Sequence, residues 1–327
     1  MVITLVKNDT RCALICGSVA YDTILVFPDR FKTHILPDKL HILNVAFLVP
    51  EMRREFGGCA ANIAYGLALL GDRGLPMAAV GHDFEPYRQR LLASGIALDY
   101  ILERSDAFTA QAYITTDLDD NQITAFHPGA MQYAHLNHVS AVQQEVALGI
   151  VAPDGRDAMI LHAAEFAAAK IPFIFDPGQG LPMFGAEELK TFIGQATWVA
   201  VNDYEWGLLQ QKTGWTAADI MEQVEALIVT RAAEGSQIYT KGRTLDIPSA
   251  VPRAIVDPTG CGDAYRAGLI HGLLRGLDWQ TTGRIASLMG ALKIESRGPQ
   301  NHRFSRTEFE QRFLENFGVH LGLAAAG

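Results

Sequence analysis

Apolar and polar positions divide the chain into two regimes. Residues 12–17 (CALICG) form a continuous apolar run of strand length, the pattern of a strand covered on both faces. Residues 21–27 continue as an extended stretch. Residues 28–50 carry three prolines and no helical period, which predicts irregular or edge-strand structure. A helix is predicted over 59–70, entered after Gly58 and closed by Gly71. A short strand at 77–80 and a helix at 86–94, stopped by Gly95, follow. Strands at 109–116 and 122–126 flank Leu118-Asp119-Asp120-Asn121, a hairpin turn.

From about residue 134 the pattern becomes strand–helix alternation. Apolar strands are predicted at 150–152, 171–175, 198–201 and 226–229, with helices at 154–170, 186–193, 203–211 and 217–225. Such alternation predicts an α/β fold with a mostly parallel sheet and helices on both faces. Ligands bind such sheets at the carboxyl ends of the strands. Asp176, Asn202 and Thr230 end three of these strands and are expected on that edge. Residues 22–55 and 108–130 are expected to assemble as a discontinuous β lid. Residues 1–21, 56–107 and 131–327 then form the large catalytic domain.

Composition narrows the function. The 327 residues are 49% apolar, enough for a large core, and carry a formal net charge of −9, which argues against a nucleic-acid surface. No apolar run reaches membrane-span length, and the start, residues 1–6, is too short for a signal peptide. Cys12, Cys16, Cys59 and Cys261 lack zinc-ligand spacing, as expected of reduced thiols in a cytoplasmic protein.

The candidate chemistry lies in Asp257-Pro258-Thr259-Gly260-Cys261-Gly262-Asp263, just before an apolar helix at 264–274. Free N–H groups of Gly260, Cys261 and Gly262 at a helix start form an anion site, and glycine lets a phosphate approach the backbone. A carboxylate beside such a cradle, Asp263, serves to take the proton of an attacking hydroxyl. This reads as a kinase of a small alcohol. The helix dipole is expected to keep Asp263 ionised, and to lower the thiol pKa of Cys261 so that alkylation at Cys261 or Cys59 inactivates the enzyme. A dinucleotide-dependent oxidoreductase is excluded, because Gly17-Ser18-Val19-Ala20 stands where G-x-G-x-x-G would follow the first strand.

A second motif, Gly57-Gly58-Cys59-Ala60-Ala61-Asn62 followed by Ala64, Gly71 and Gly81, lies about 200 residues upstream. With Asp257–Asp263 and Ala267-Gly268 it resembles the ribokinase (PfkB) family of carbohydrate and nucleoside kinases, over most of the chain. The resemblance implies a ribokinase-like fold and ATP with Mg²⁺ as cofactors. It implies that Asp22, Gly57, Gly58 and Asn62 hold the substrate. Asn202-Asp203-Tyr204-Glu205 matches the family's Asn-x-x-Glu, which implies Mg²⁺ at Glu205 and Asn202, partly through water. Thr230 to Gly235 matches a Thr-x-Gly-x-x-Gly nucleotide loop, with Ala232 in place of the middle Gly. Thr230, Gly235, Asn202 and Asn301 are thereby implied as nucleotide contacts. The resemblance also leaves room for K⁺ near Asp257, Thr259 and the loop after Lys293.

The segments 175–179 and 291–302 look like nucleoside kinase members of the family. Phe47, Phe126, Met131 and Tyr133 are candidates to cover a purine, or simply to pack the lid. The expected reaction is phosphorylation of a nucleoside, foremost adenosine, at its 5′-hydroxyl, as in purine salvage. The alternatives are a kinase of a free sugar such as ribose or fructose, and a non-catalytic nucleoside or nucleotide sensor. The chain is expected as a monomer or as a homodimer joined through the lid, without nucleic acid or membrane partners.

Overall fold

A strand buried on every residue, β1 (Cys12–Cys16), organises the main sheet. Its side chains alternate between two cores: Ala13 and Ile15 enter one, Cys12, Leu14 and Cys16 the other. That two-sided burial is why CALIC lacks polar alternation. The computed structural model describes residues 12–35, 42, 44–119 and 121–321. Residues 1–6, the stretches 36–41 and 43 of the irregular region, Asp120 of the hairpin turn and the Ala-Gly tail lie outside the described residues.

The remaining strands are β2 (Ala20–Val26), β3 (Glu51–Gly57), β4 (Gly74–Gly81), β5 (Tyr100–Arg104), β6 (Ala110–Thr116), β7 (Gln122–His127), β8 (Val146–Val151), β9 (Phe173–Phe175), β10 (Trp198–Asn202), β11 (Ala226–Thr230), β12 (Ser236–Thr240) and β13 (Arg243–Ile247). The helices are α1 (Phe31–His34), α2 (Cys59–Leu69), α3 (Glu85–Ala93), α4 (Arg156–Ala169), α5 (Ala186–Gln195), α6 (Asp203–Thr213), α7 (Ala217–Met221), α8 (Cys261–Leu274), α9 (Trp279–Ile294) and α10 (Arg306–Phe317). Among the described residues, nine strands form one sheet in the order β13-β12-β11-β10-β9-β8-β1-β4-β5. All pairs are parallel except β11–β12 and β12–β13. Helices α2, α8, α9 and α10 cover one face and α4 to α7 the other. This is the ribokinase-like α/β architecture.

A separate four-stranded sheet, β3-β2-β6-β7, forms the small lid. The β6–β7 hairpin pairs Thr116 with Gln122, around the turn read from the sequence. Asp117 closes this turn by accepting from the N–H groups of Asp119 and Asn121, each at 2.9 Å, and ties it to α1 through the Phe31 N–H at 2.9 Å.

Several elements have no counterpart in the apolar pattern. Strand β3 reads EMRREFG and is solvated along most of its length, so nothing alternates. Strands β5 and β13 are sheet edges, and β12 joins β13 by a tight turn at Gly242. Within residues 28–50, α1 is a single turn with Phe31 buried, and 44–50 form no regular element. Helix α4 begins at Arg156, leaving Asp154 in the preceding loop, and ends at Lys170, which takes the left-handed conformation (φ 55°). No helix among the described residues is long and apolar enough to cross a membrane.

Candidate active site

The anion loop is built by backbone constraints that the sequence meets with glycine. Gly260 caps α8 at φ 81°, and a Cβ there would lie 2.7 Å from Pro299 Cβ. A Cβ on Gly262 would meet nothing within 4 Å, so open space lies over its backbone. The Cys261 N–H, expected in the cradle, donates instead to Pro258 O at 3.1 Å. The turn leaves the N–H groups of Gly260, Gly262 and Asp263 without an acceptor among the described residues. Three donors at a helix start beside open space fit the phosphates of ATP.

Asp263 stands in the first turn of α8, half-buried, and its Oδ2 accepts from Asn62 Nδ2 at 2.8 Å. Asn62 lies on α2, just after the glycine pair, so one hydrogen bond joins the two motifs. Its Oδ1 accepts from Gln300 Nε2 at 2.9 Å. Gln300 Nε2 also donates to Tyr87 Oη at 2.5 Å, and Tyr87 donates to Gly57 O at 2.6 Å. A polar chain therefore runs from Gly57 to Asp263. Burial pushes the Asp263 carboxyl up to about 7, the Asn62 hydrogen bond opposing it. The helix dipole does not keep this group a weak base: desolvation outweighs it.

Asp22, on β2, faces Glu55 across the β2–β3 pair. Burial first, then the neighbouring charges of Glu55 and Asp257, raises its carboxyl to about 6. Gly57 gives this carboxylate its room, since a Cβ there would lie 2.3 Å from Asp22 Oδ2. Gly58 takes φ 90°, packed against the backbone of residues 18–20, and turns the chain into α2. Asn301 donates from Nδ2 to Glu55 Oε2 at 3.1 Å and to Arg297 O at 2.9 Å, so its amide serves the contact between the C-terminal loop and the lid sheet.

The strand ends meet on one edge as expected. Asn202 and Thr230 are register partners in β10 and β11. Asn202 and Glu205 close a reciprocal cap on α6: Glu205 N donates to Asn202 Oδ1, Asn202 N to Glu205 Oε2 and Asn202 Nδ2 to Glu205 Oε1, all at 2.8 Å. Asn202 therefore orients Glu205, and its own oxygen is engaged. Burial, then the Asp176 charge, raises the Glu205 carboxyl above its ordinary value. Among the described residues no group of three or more His, Cys, Asp and Glu side chains gathers to hold a metal. A carboxylate oriented in this way at the strand-end edge of the sheet fits a Mg²⁺ that would keep most of its waters.

In the loop after β11, Ala232 sits at φ 45°, the conformation that the family's Gly would take without strain. The loop closes through Arg231 N to Gly235 O at 2.7 Å. Gly235 (φ 84°) has no space for a side chain, a Cβ lying 2.1 Å from Ile247 O.

The thiols depart from expectation. Burial pushes Cys261 up to about 11 and Cys59 well above the ordinary thiol value, and the Asp263 carboxyl adds to both. Desolvation and nearby carboxylates again outweigh the helix terminus. The region named for K⁺, by Asp257, Thr259 and the loop after Lys293, holds a side-chain cation. The ammonium of Lys293 donates to Asp257 O at 2.7 Å and Ser296 O at 3.1 Å, filling the place between the two loops. Of the aromatic candidates, Phe47 packs on Phe27 and Phe31, at ring centroid distances of 4.8 and 5.0 Å, and serves the lid's own core. Phe126 is exposed on β7, and Tyr133 lies under the Arg104 guanidinium at 4.7 Å.

Some contributors escaped the motif reading. Arg266, one turn beyond Asp263, grips Asp176 bidentately, Nε to Oδ2 at 3.0 Å and Nη2 to Oδ1 at 3.2 Å, both side chains buried. Its signal was a lone cation in the apolar stretch 264–274. Tyr87 carries no such signal, and Gln300 was visible only as part of the C-terminal segment.

Comparisons with known proteins bear on the family of the chain. The model of the pfkB family of carbohydrate kinases matches residues 20–305. A nucleoside kinase of Methanothermobacter thermautotrophicus is 33% identical over 315 residues, covering 95% of this chain and 98% of that protein. The solved Burkholderia thailandensis nucleoside kinase in complex with inosine is 50% identical, with a TM-score of 0.87 over 94% of this chain and 99% of that one. The Methanocaldococcus jannaschii nucleoside kinase structure is 28% identical, with a TM-score of 0.84 over 93% and 98% of the two chains. The chain belongs to the pfkB family of carbohydrate kinases, phosphotransferases that act on hydroxyl groups.

Proposed function

We propose that this chain is an ATP-dependent kinase of purine nucleosides, adenosine among them, transferring the γ-phosphoryl group to the 5′-hydroxyl with Asp263 as general base. The observation that carries the reading is the 2.8 Å bond from Asn62 to Asp263. It ties the carboxylate that follows the anion loop to the glycine–Asn motif, which supports a role for both in holding one hydroxyl. The inosine complex of the 50% identical Burkholderia thailandensis protein, and its ADP–inosine complex, support a purine nucleoside as acceptor. The acids Asp22 and Glu55 on the substrate side oppose a phosphorylated sugar.

Asp22 accepts hydrogen bonds from the ribose hydroxyls and Asn62 helps orient the sugar. The 5′-hydroxyl donates to Asp263, whose carboxylate form takes the proton as the bond from the 5′-oxygen to the γ-phosphorus forms and the bond from that phosphorus to the β,γ-bridging oxygen breaks, releasing ADP. The N–H groups of Gly260, Gly262 and Asp263 receive the charge on the equatorial oxygens of the transferred group. Each such donor is worth roughly 10²–10³ in turnover. Glu205, held by Asn202, is the residue that would anchor the water shell of Mg²⁺, which neutralises phosphate charge when bound. The β2-β3-β6-β7 lid excludes water that would compete for the phosphoryl group.

The test is ADP release with MgATP against adenosine, inosine, guanosine, cytidine, ribose, fructose and fructose 6-phosphate, with products located by ³¹P–¹H correlation. Turnover of purine nucleosides to 5′-monophosphates is expected, with 5′-deoxyadenosine binding but not reacting. Turnover of ribose or fructose alone would overturn the substrate assignment. ATP binding with no phosphorylated acceptor would favour a sensor.

A further inference from the structure

Lys293 is fully buried near the end of α9, on a helix whose other inward residues are apolar or small. A buried ammonium is expensive unless its donors are met and its charge is balanced. Here two main-chain carbonyls meet it, Asp257 O at 2.7 Å and Ser296 O at 3.1 Å. These carbonyls come from two different loops. The first opens the anion loop, and the second begins the turn that carries Gly298, Pro299 and Gln300 into the site. The Asp257 carboxylate braces the same pair of loops, accepting from Thr259 N and Gly298 N, each at 2.9 Å. The backbone adds Val256 N and Asp257 N to Ile294 O, at 2.9 and 3.1 Å. The last turn of a helix also favours a cation there. The place has the chemistry of a dehydrated monovalent cation site, carbonyl oxygens with one carboxylate nearby, and a tethered charge already fills it.

We infer that Lys293 is a built-in cation: its ammonium holds the anion loop and the Gly298–Gln300 turn in register, and makes phosphoryl transfer independent of K⁺. Burial pulls the Lys293 pKa below its usual value, while the Asp257 carboxylate supports the charged form. The position is linked to the site: Gly260 packs on Pro299, and Gln300 reaches Asn62 and through it Asp263. A displaced ammonium would therefore disturb both the phosphate cradle and the base. The inference rests on the phosphotransfer reading, and the experiment separates the two.

Wild-type protein is assayed at matched ionic strength in KCl, NaCl and tetramethylammonium chloride, and its affinity for ADP is measured by calorimetry in the same salts. Rates and affinities within about twofold across the salts are expected, as screening alone is equalised. Saturable activation by K⁺, or tighter ADP binding in K⁺ alone, would overturn the proposal. Without turnover on any acceptor, which would sink the substrate assignment instead, the calorimetric salt series still decides. Lys293→Ala opens the place to a free ion. Its kcat/KM in tetramethylammonium is expected to fall about 10- to 100-fold, as hydrogen bonds from a charged group are lost. K⁺ or NH₄⁺ should restore it saturably. Lys293→Met fills the space without charge and should be slow in every salt. A folded Lys293→Ala protein with full activity in tetramethylammonium contradicts the proposal, as does a loss that no cation repairs. If that variant does not fold, the wild-type salt series decides alone.

Discussion

Removing the Asn62 amide should move the ionisation of the base, and the size of the move follows from one hydrogen bond. Asn62 Nδ2 donates to Asp263 Oδ2 at 2.8 Å and so favours the carboxylate, against the burial that raises this group to about 7. A hydrogen bond to a charged group contributes about 1.5–3 kcal/mol, and each pKa unit corresponds to about 1.36 kcal/mol. Asn62→Ala should therefore raise the Asp263 pKa by about one to two units. The base form accumulates as pH rises, so the acid limb of kcat/KM, with its midpoint near 7 in the wild type, should move up to about 8–9. At pH 7 the wild-type base is about half ionised and the variant's roughly 1–10%, a loss of about 5- to 50-fold in kcat/KM. Most of the loss attributable to ionisation should vanish by about pH 10, leaving whatever Asn62 contributes to holding the sugar. The assay is a pH profile of kcat/KM between pH 5.5 and 10, with circular dichroism as a check on folding. An acid limb that stays put while the whole curve drops would refute the electrostatic argument and leave Asn62 as a substrate contact alone.

Other consequences follow from the same structure. Arg266→Ala strands the buried Asp176 carboxylate and should cost about 3–5 kcal/mol in urea unfolding, most of it recovered by Arg266→Met with Asp176→Leu; a cost below about 1 kcal/mol would mean the pair is not buried as described. Ala232→Gly relieves a left-handed alanine at about 1–2 kcal/mol and loses up to about 1 kcal/mol to unfolded-state entropy, so Tm should stay level or rise by about 2 °C; a clear fall would contradict the φ of 45°. Iodoacetamide should inactivate slowly at pH 7.5 and much faster above pH 10, because Cys261 and Cys59 are mostly thiols at neutral pH; rapid, ATP-protected inactivation at pH 7 would contradict the raised pKa values.

The readable parts of the site were those where backbone geometry forces a residue type. Gly260 has to be glycine because of its positive φ and the contact with Pro299, so the anion loop stood out. The Ala232 departure was visible too, and the structure turns it into a strained φ. Residues acting through long-range partners were not readable: Gln300 meets Asn62 across 238 positions, and no local pattern marks Tyr87. Arg266 is the one Lys or Arg in the apolar stretch 264–274 and Lys293 stands near the end of an apolar helix, yet only the fold supplies the carboxylate and the carbonyls that explain them. Electrostatic expectations from helix termini failed at both Asp263 and Cys261. The dipole acts over one turn at modest strength, while burial among other carboxylates acts on the same groups more strongly. Strands β3, β5 and β13 were silent because edge and lid strands, wet on one or both sides, carry no continuous apolar run.

The central claim is that Asp263 takes the proton of the attacking hydroxyl, and single-turnover transfer from MgATP to adenosine by Asp263→Asn tests it most directly. A rate lowered by roughly 10²–10⁴-fold, with ADP affinity unchanged, is the predicted result. Transfer within a few fold of the wild-type rate would contradict the account.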